Sequence, residues 1–169
     1  MTPPSETLTV VSWNVNGIRA RLPHVVRYLN ERAPDVFCLQ ETKIAYADFP
    51  RAELAAIGYR STVLSSAGYA GVAILTRATL DRVTGGLDGF APKRPAARRL
   101  TGRLGRVWID TVYVPTRLAI GKIEFLDALR EDHATSPSAP PSPARLPDTS
   151  HASSRSKLSK HPTHPCRCR

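Results

Sequence analysis

Apolar residues fall into short runs separated by turn chemistry, and one stretch, Val10 to Lys43 (VVSWNVNGIRARLPHVVRYLNERAPDVFCLQETK), organises them. Leu8 to Trp13 (LTVVSW) is rich in β-branched residues and predicts a buried strand. Asn14-Val15-Asn16-Gly17 ends it with turn residues. Leu22, Val25, Val26 and Leu29 then recur at i, i+3, i+4 and i+7, with Arg21, Arg27, Asn30 and Arg32 off that face, which predicts a helix. Pro23 suits its first turn and Pro34 follows its end. Val36 to Leu39 (VFCL), between Pro34 and the polar QETK, is too short for a helix and reads as a second buried strand. Strand, helix and strand with short joints predict a βαβ unit with parallel strands and a right-handed crossover. Asn14 and Glu41 then lie in loops beyond the carboxyl ends of the strands, where α/β folds hold ligands.

Further along, the spacing predicts a second helix over Arg51 to Ile57, stopped by Gly58, and a strand over Tyr59 to Leu64. Ser65 to Gly68 reads as a turn, and Gly71 to Leu75 (GVAIL) as another buried strand. Gly85 to Arg103 is loop-like and basic, carrying Lys93, Arg94, Arg98, Arg99 and Arg103. Leu104 to Val114 holds one or two strands and stops at Pro115; Ile123 to Leu129 begins a helix. After Glu131 the apolar pattern ends. Residues 132–169 hold seven of the fifteen prolines and no aromatic residue, Val or Ile, so they cannot bury enough surface to offset ordering entropy. The expected division is an α/β domain over 1–131 and a disordered Pro/Ser/Arg/His-rich tail over 132–169.

Charge adds a partner class. The 169 residues permit one domain, and a net charge of +10 with a pI near 10.2 favours anionic partners, nucleic acid first. A basic surface that only keeps the chain soluble is the plainer alternative. The tail carries six basic residues against Asp132 and Asp148, leaving most of the excess on the body. Three cysteines are too few for a disulfide framework, and Cys38, inside an apolar run, reads as a small buried hydrophobe. The first residues lack a basic region followed by an apolar core, and no run approaches transmembrane length. The expectation is a cytoplasmic protein with no membrane partner.

The segments VSWNVNGIRARL, PDVFCLQETK, GYAGVAILTR and VYVP closely resemble the exonuclease III family of apurinic/apyrimidinic endonucleases, within the wider endonuclease/exonuclease/phosphatase fold. The resemblance spans Leu8 to Pro115 and, weakly, Lys122 to Arg130. NGIRA and GYAGVAIL belong to the DNA-repair branch, whereas an LQE-like motif alone would also fit sphingomyelinases and inositol-polyphosphate phosphatases. The resemblance implies the N-terminal part of a four-layer α/β sandwich. It implies cleavage of a DNA phosphodiester at an abasic site or from a 3′ end, dependent on Mg²⁺, with Mn²⁺ as a substitute. By the same resemblance Glu41 is the metal-ligating carboxylate, Asn14 the amide orienting groups near metal and phosphate, and Tyr113 the tyrosine against the scissile phosphate. Those residue types suit the chemistry. Mg²⁺ takes oxygen ligands, often one or two carboxylates plus water and phosphate, and amides or phenols can donate to charge growing on the phosphate. Taken singly, Glu41 also reads as a solvated loop acid, Asn14 as a turn residue, and Tyr113 as a core or edge-strand aromatic.

Two motifs of that family are missing from the 169 residues: the GDFN that supplies a water-activating Asp, and the SDH that supplies an Asp–His pair. Asp132-His133 follows a helix-like segment with no strand before it, and DTSH (148–151) lies in the tail; neither reads as the pair. His161, His164, Cys166 and Cys168 are crowded by prolines and read as incidental. The expectation is that the chain follows the family to about Arg130 and then reads unrelated residues, as a shifted frame in a GC-rich gene would produce. One sheet would then lack a partner for its inner face, making the chain a monomer of marginal stability or aggregation-prone. Its activity would be lost, leaving weak DNA binding through the basic surface. Translating the gene past Arg130 in the other two frames tests the shift: GDFN and SDH are expected there, and their absence from every frame rejects it.

Overall fold

The computed structural model describes residues 7–65, 69–87, 97–115 and 121–135. Strand β1 (Val10–Asn14), helix α1 (Ile18–Arg32) and strand β2 (Val36–Gln40) form the expected βαβ unit, with β1 and β2 parallel and Val10 opposite Val36. Helix α2 (Arg51–Ala56), strand β3 (Arg60–Leu64) and strand β4 (Val72–Thr76) follow. The first sheet has the order β1-β2-β4-β3, with β4 antiparallel to both neighbours. Strands β5 (Asp81–Gly85), β6 (Arg99–Leu104) and β7 (Val107–Val112) form a second, antiparallel sheet. Helix α3 (Lys122–Thr135) comes last.

Burial explains why β2 reads as an unbroken apolar run. All five of its residues are buried. Phe37 and Leu39 pack with Ile18, Val25 and Leu29 of α1 and Leu54 of α2, while Val36 and Cys38 pack with Leu100 of β6 and Ile109 of β7. One strand thus joins two cores, and each fully buried side chain of this size contributes about 1.5–3 kcal/mol. Burial pushes the Cys38 thiol up to about 11, so it behaves as a small hydrophobe.

The inner face of the first sheet is therefore covered, contrary to expectation, because β5 and most of β6, which the sequence reading missed, join the expected strand in Leu104–Val114 to make a second sheet. Arg99 and Thr101 of β6 are buried on its outer face. Arg99 donates to Asp110 of β7 (Nε–Oδ2 2.9 Å) and pairs with Asp132 of α3 (Nη1–Oδ2 2.8 Å). Thr101 donates to the same Asp110 at 3.0 Å. These partners let a charged strand lie under a helix, which local composition cannot reveal. The layers run helices α1 and α2, first sheet, second sheet, α3.

Several boundaries differ from the sequence reading by a residue or two, Asn14 closing β1 among them, and three differ with more consequence. Helix α1 begins at Ile18, so Pro23 lies inside it rather than in its first turn. The earlier start follows from Gly17 at φ 100 and from Ile18, which is fully buried in the core. Gly85 to Arg103 is not loop throughout, since Gly85 ends β5 and Arg99 opens β6. Helix α3 runs to Thr135, past the division drawn after residue 131, because Asp132 is tied to Arg99. The Ser66–Gly68 part of the turn, Lys93, Arg94, Asp148 to His151 and the 161–168 His/Cys group lie outside the described residues, as does the tail beyond 135. Among the described residues no helix is long and apolar enough to cross a membrane.

Candidate active site

Backbone hydrogen bonds bring the motif segments together. From the loop after β1, the N–H groups of Val15, Gly17 and Ile18 donate to the carbonyls of Gln40 (3.0 Å), Glu41 (2.7 Å) and Thr42 (3.0 Å). On its other side, this second loop donates from Thr42 and Lys43 to Gly71 (3.0 Å) and Ala70 (2.9 Å). Gly71 donates in turn to Ala97 (3.0 Å), and Tyr113 donates to the carbonyl of the adjoining Arg98 (2.6 Å). The segments NGI, QETK, YAG and the Tyr113 strand end are thus one hydrogen-bonded assembly. Gly71 is needed where it stands: its φ is +91, and a Cβ there would overlap Thr42 Oγ1.

Asn14 and Glu41, 27 residues apart, meet at this assembly. Asn14 Nδ2 donates to Glu41 Oε1 at 2.8 Å, while Asn14 Oδ1 accepts from the Asn16 N–H at 3.1 Å. Lys43 Nζ lies 2.8 Å from Glu41 Oε2 and also donates to Asn16 Oδ1. The Tyr113 phenol lies near enough to the same carboxylate for each to shift the other's titration. The Glu41 side chain is only 17% exposed, so these partners act with reduced solvent screening. Hydrogen bonds from Asn14, then Lys43, hold the Glu41 carboxyl below its usual range. Tyr113 is shifted upward, first by burial and then by Glu41, so the phenol keeps its proton.

The backbone here is also unusual. Asn16, Glu41 and Lys43 adopt left-handed conformations (φ 45, 53 and 48), which cost non-glycine residues free energy and persist only when surroundings hold them. Below the site, Gln40 bridges the sheets, donating from Nε2 to Ser12 Oγ (3.1 Å) and to Thr111 Oγ1 (2.8 Å). Arg98 lays its guanidinium over the Tyr113 ring, 4.9 Å from the centroid.

All three residues singled out from the sequence, Asn14, Glu41 and Tyr113, therefore converge. Lys43 and Arg98 join them without having been assigned a role there. Lys43 had a local signal, a cation two residues from the singled-out acid; Arg98 had only its place in a basic segment. Asp132 and His133 do not form a pair with each other in this arrangement. Asp132 binds Arg99, and His133 Nε2 lies 3.6 Å from Asp110 Oδ2, on the sheet face opposite Thr111 and Tyr113.

The endonuclease/exonuclease/phosphatase family matches residues 11–166 of the chain. An exodeoxyribonuclease of Bacillus subtilis is 31% identical over 121 residues, covering 70% of this chain and 47% of that protein. Recombination repair protein 1 of Drosophila melanogaster is 36% identical over 110 residues, covering 64% of this chain and 16% of that protein. An AP endonuclease from Archaeoglobus fulgidus superposes with a TM-score of 0.64 and 31% identity, over 76% of this chain and 49% of that one. A variant of the 3′ phosphatase NExo from Neisseria, bound to product DNA hairpin, gives 0.65 and 29%, over 78% and 51%. The chain spans about half the length of these structures, and less than half of the two relatives.

Because the folded protein holds Glu41 below the ordinary value of 4.5, ionised Glu41 adds stability above that value, and this is lost as pH falls through the lower folded one. Melting temperatures measured from about pH 7 to about pH 3 should show that acid-side loss, and Glu41→Gln should flatten it. An unchanged acid limb in Glu41→Gln would show that the carboxylate is not held as described.

Proposed function

Since the chain belongs to the endonuclease/exonuclease/phosphatase family, we propose that it is a DNA-repair nuclease homologue of the exonuclease III type, whose Glu41 site addresses a DNA phosphodiester at an abasic site or 3′ end. The observation that carries this reading is the convergence of Asn14, Lys43 and Tyr113 on one half-buried carboxylate, in segments resembling the DNA-repair branch. The relatives' names and the net charge of +10 support a DNA partner. A cytoplasmic location and a monomeric state go with the proposal.

The donor set fits a magnesium ion. Glu41 offers a carboxylate and Asn14 an amide oxygen, both hard oxygen donors, with Mn²⁺ able to take the same place. Among the described residues no three His, Cys, Asp or Glu side chains converge, which suits an ion that keeps water and phosphate as its other ligands. When bound, such an ion would polarise a phosphoryl oxygen and steady the leaving alkoxide. Asn14 fixes the carboxylate through Nδ2, and its own oxygen is held by Asn16; its first role is positioning. Lys43 pairs with Glu41 Oε2 and balances the charge of the carboxylate. Tyr113 keeps a proton that it can donate to phosphate, and a donor fixed in advance needs no reorganisation during reaction.

Within residues 1–169 there is no GDFN and no SDH, so no base for the attacking water is assigned. A positioned general base contributes about 10²–10⁴ in rate. The proposal is therefore a chain that engages DNA through this site and cleaves it near background. Incision of an abasic-site duplex and of recessed 3′ ends, with Mg²⁺ or Mn²⁺, tests it. Rates close to buffer alone are expected, unchanged in Glu41→Gln. Turnover that Glu41→Gln abolishes would instead make this chain a working nuclease.

A further inference from the structure

Two adjacent arginines have opposite surroundings. Arg99 is neutralised by Asp110 and Asp132, and its side chain is 5% exposed. Arg98 is half-buried, and among the described residues no carboxylate pairs with it. Its contacts are with Tyr113. The guanidinium carbon lies 4.9 Å from the ring centroid, and Nη1 is 3.5 Å from the Tyr113 carbonyl. A guanidinium has five N–H donors in a rigid fork, so these contacts leave donor capacity unused.

The backbone fixes where that capacity lies. The Arg98 carbonyl accepts from the Tyr113 N–H, and the preceding Ala97 carbonyl accepts from Gly71, whose own carbonyl takes the Thr42 N–H. The guanidinium is thus held on the ring of Tyr113, while Lys43 holds Glu41 Oε2. A planar, unneutralised cation in partly desolvated surroundings suits a phosphate, which it can meet with two parallel hydrogen bonds. Stacking on the ring limits the fork's orientations and reduces the entropy lost on binding.

We propose that Arg98 is an anion-binding residue of the Glu41–Tyr113 site, its guanidinium laid on the Tyr113 ring and, among the described residues, left without a carboxylate, so that it takes a phosphate of a DNA strand. The proposal rests on the DNA reading above. It requires charge and not only packing: a lysine at 98 keeps the contact in part, and a neutral residue does not.

The test is the salt dependence of binding to a duplex bearing one stable abasic analogue, read by fluorescence anisotropy between about 50 and 200 mM salt. Each phosphate contact contributes about 0.9 to the slope of log K against log salt. Arg98→Gln should lower that slope by about one, whereas Arg98→Lys should keep it. Arg106→Gln, in the exposed β6–β7 turn at the other end of β7, should also keep it. Arg98→Met, which keeps the stem over the ring, gives the same test should Arg98→Gln fail to match the far-UV spectrum of the parent. Salt-sensitive binding with an unchanged slope in the neutral variants overturns the role of Arg98 and leaves the DNA reading standing. A fall in Arg98→Lys equal to that in Arg98→Gln assigns Arg98 to packing alone; an equal fall in Arg106→Gln assigns it to diffuse charge; either overturns the proposal. If the parent chain shows no salt-sensitive binding, the DNA reading fails and takes this inference with it.

Discussion

The loop after β2 is held from both sides by backbone hydrogen bonds, and the rest of the site depends on that constraint. Val15, Gly17 and Ile18 donate into it from the loop after β1; Thr42 and Lys43 donate out of it to Gly71 and Ala70. A loop satisfied by its neighbours in this way can remain half-buried without unpaired backbone groups. It can also hold Glu41 and Lys43 at positive φ, where free chains rarely stay. The same bonds cap α1. Its N-cap, Gly17, has no side chain to offer, and the Thr42 carbonyl takes the first helical N–H in its place.

Electrostatics follow from that geometry. A carboxylate with an amide on one oxygen and an ammonium on the other, and a phenol beside it, stays ionised and oriented. The cation or phosphate proposed for the site would need little rearrangement of these groups, which is what preorganisation means energetically. The second sheet has a supporting part: Thr111 of β7 accepts from Gln40, and Tyr113 follows two residues later on the same face. The inter-sheet core of Val36, Cys38, Ile74, Leu100 and Ile109 fixes the separation across which Tyr113 reaches Glu41.

What could be read from sequence was what is local. The βαβ unit was legible because β2 is buried on both faces and α1 presents a regular apolar stripe. That Asn14, Glu41 and Tyr113 lie together was legible through flanking motifs whose residues bond one another. The second sheet was legible only in part: β7 falls in the Leu104–Val114 run, while β5 and most of β6 were missed. Strand β5 is a polar edge strand with an irregular register between Asp81 and Thr84, and β6 alternates Arg99, Thr101 and Arg103 against a single large apolar residue, Leu100, in its first half. Burial of Arg99 depends on Asp110 and Asp132, 11 and 33 positions away, so no local window contains the reason. Pro23 misled for a related reason: anchoring of Ile18 in the core starts the helix more than a turn before the position the proline suits best.

The account's central claim is that this hydrogen-bonded assembly is already formed in the free chain. Amide hydrogen exchange followed by NMR on the ligand-free protein tests it most directly. The account predicts that Gly17, Ile18, Thr42 and Lys43 exchange about as slowly as the β2 amides, since all belong to one hydrogen-bonded unit. Rapid exchange at those four positions, with β2 itself still protected, would contradict it and make the site a product of binding.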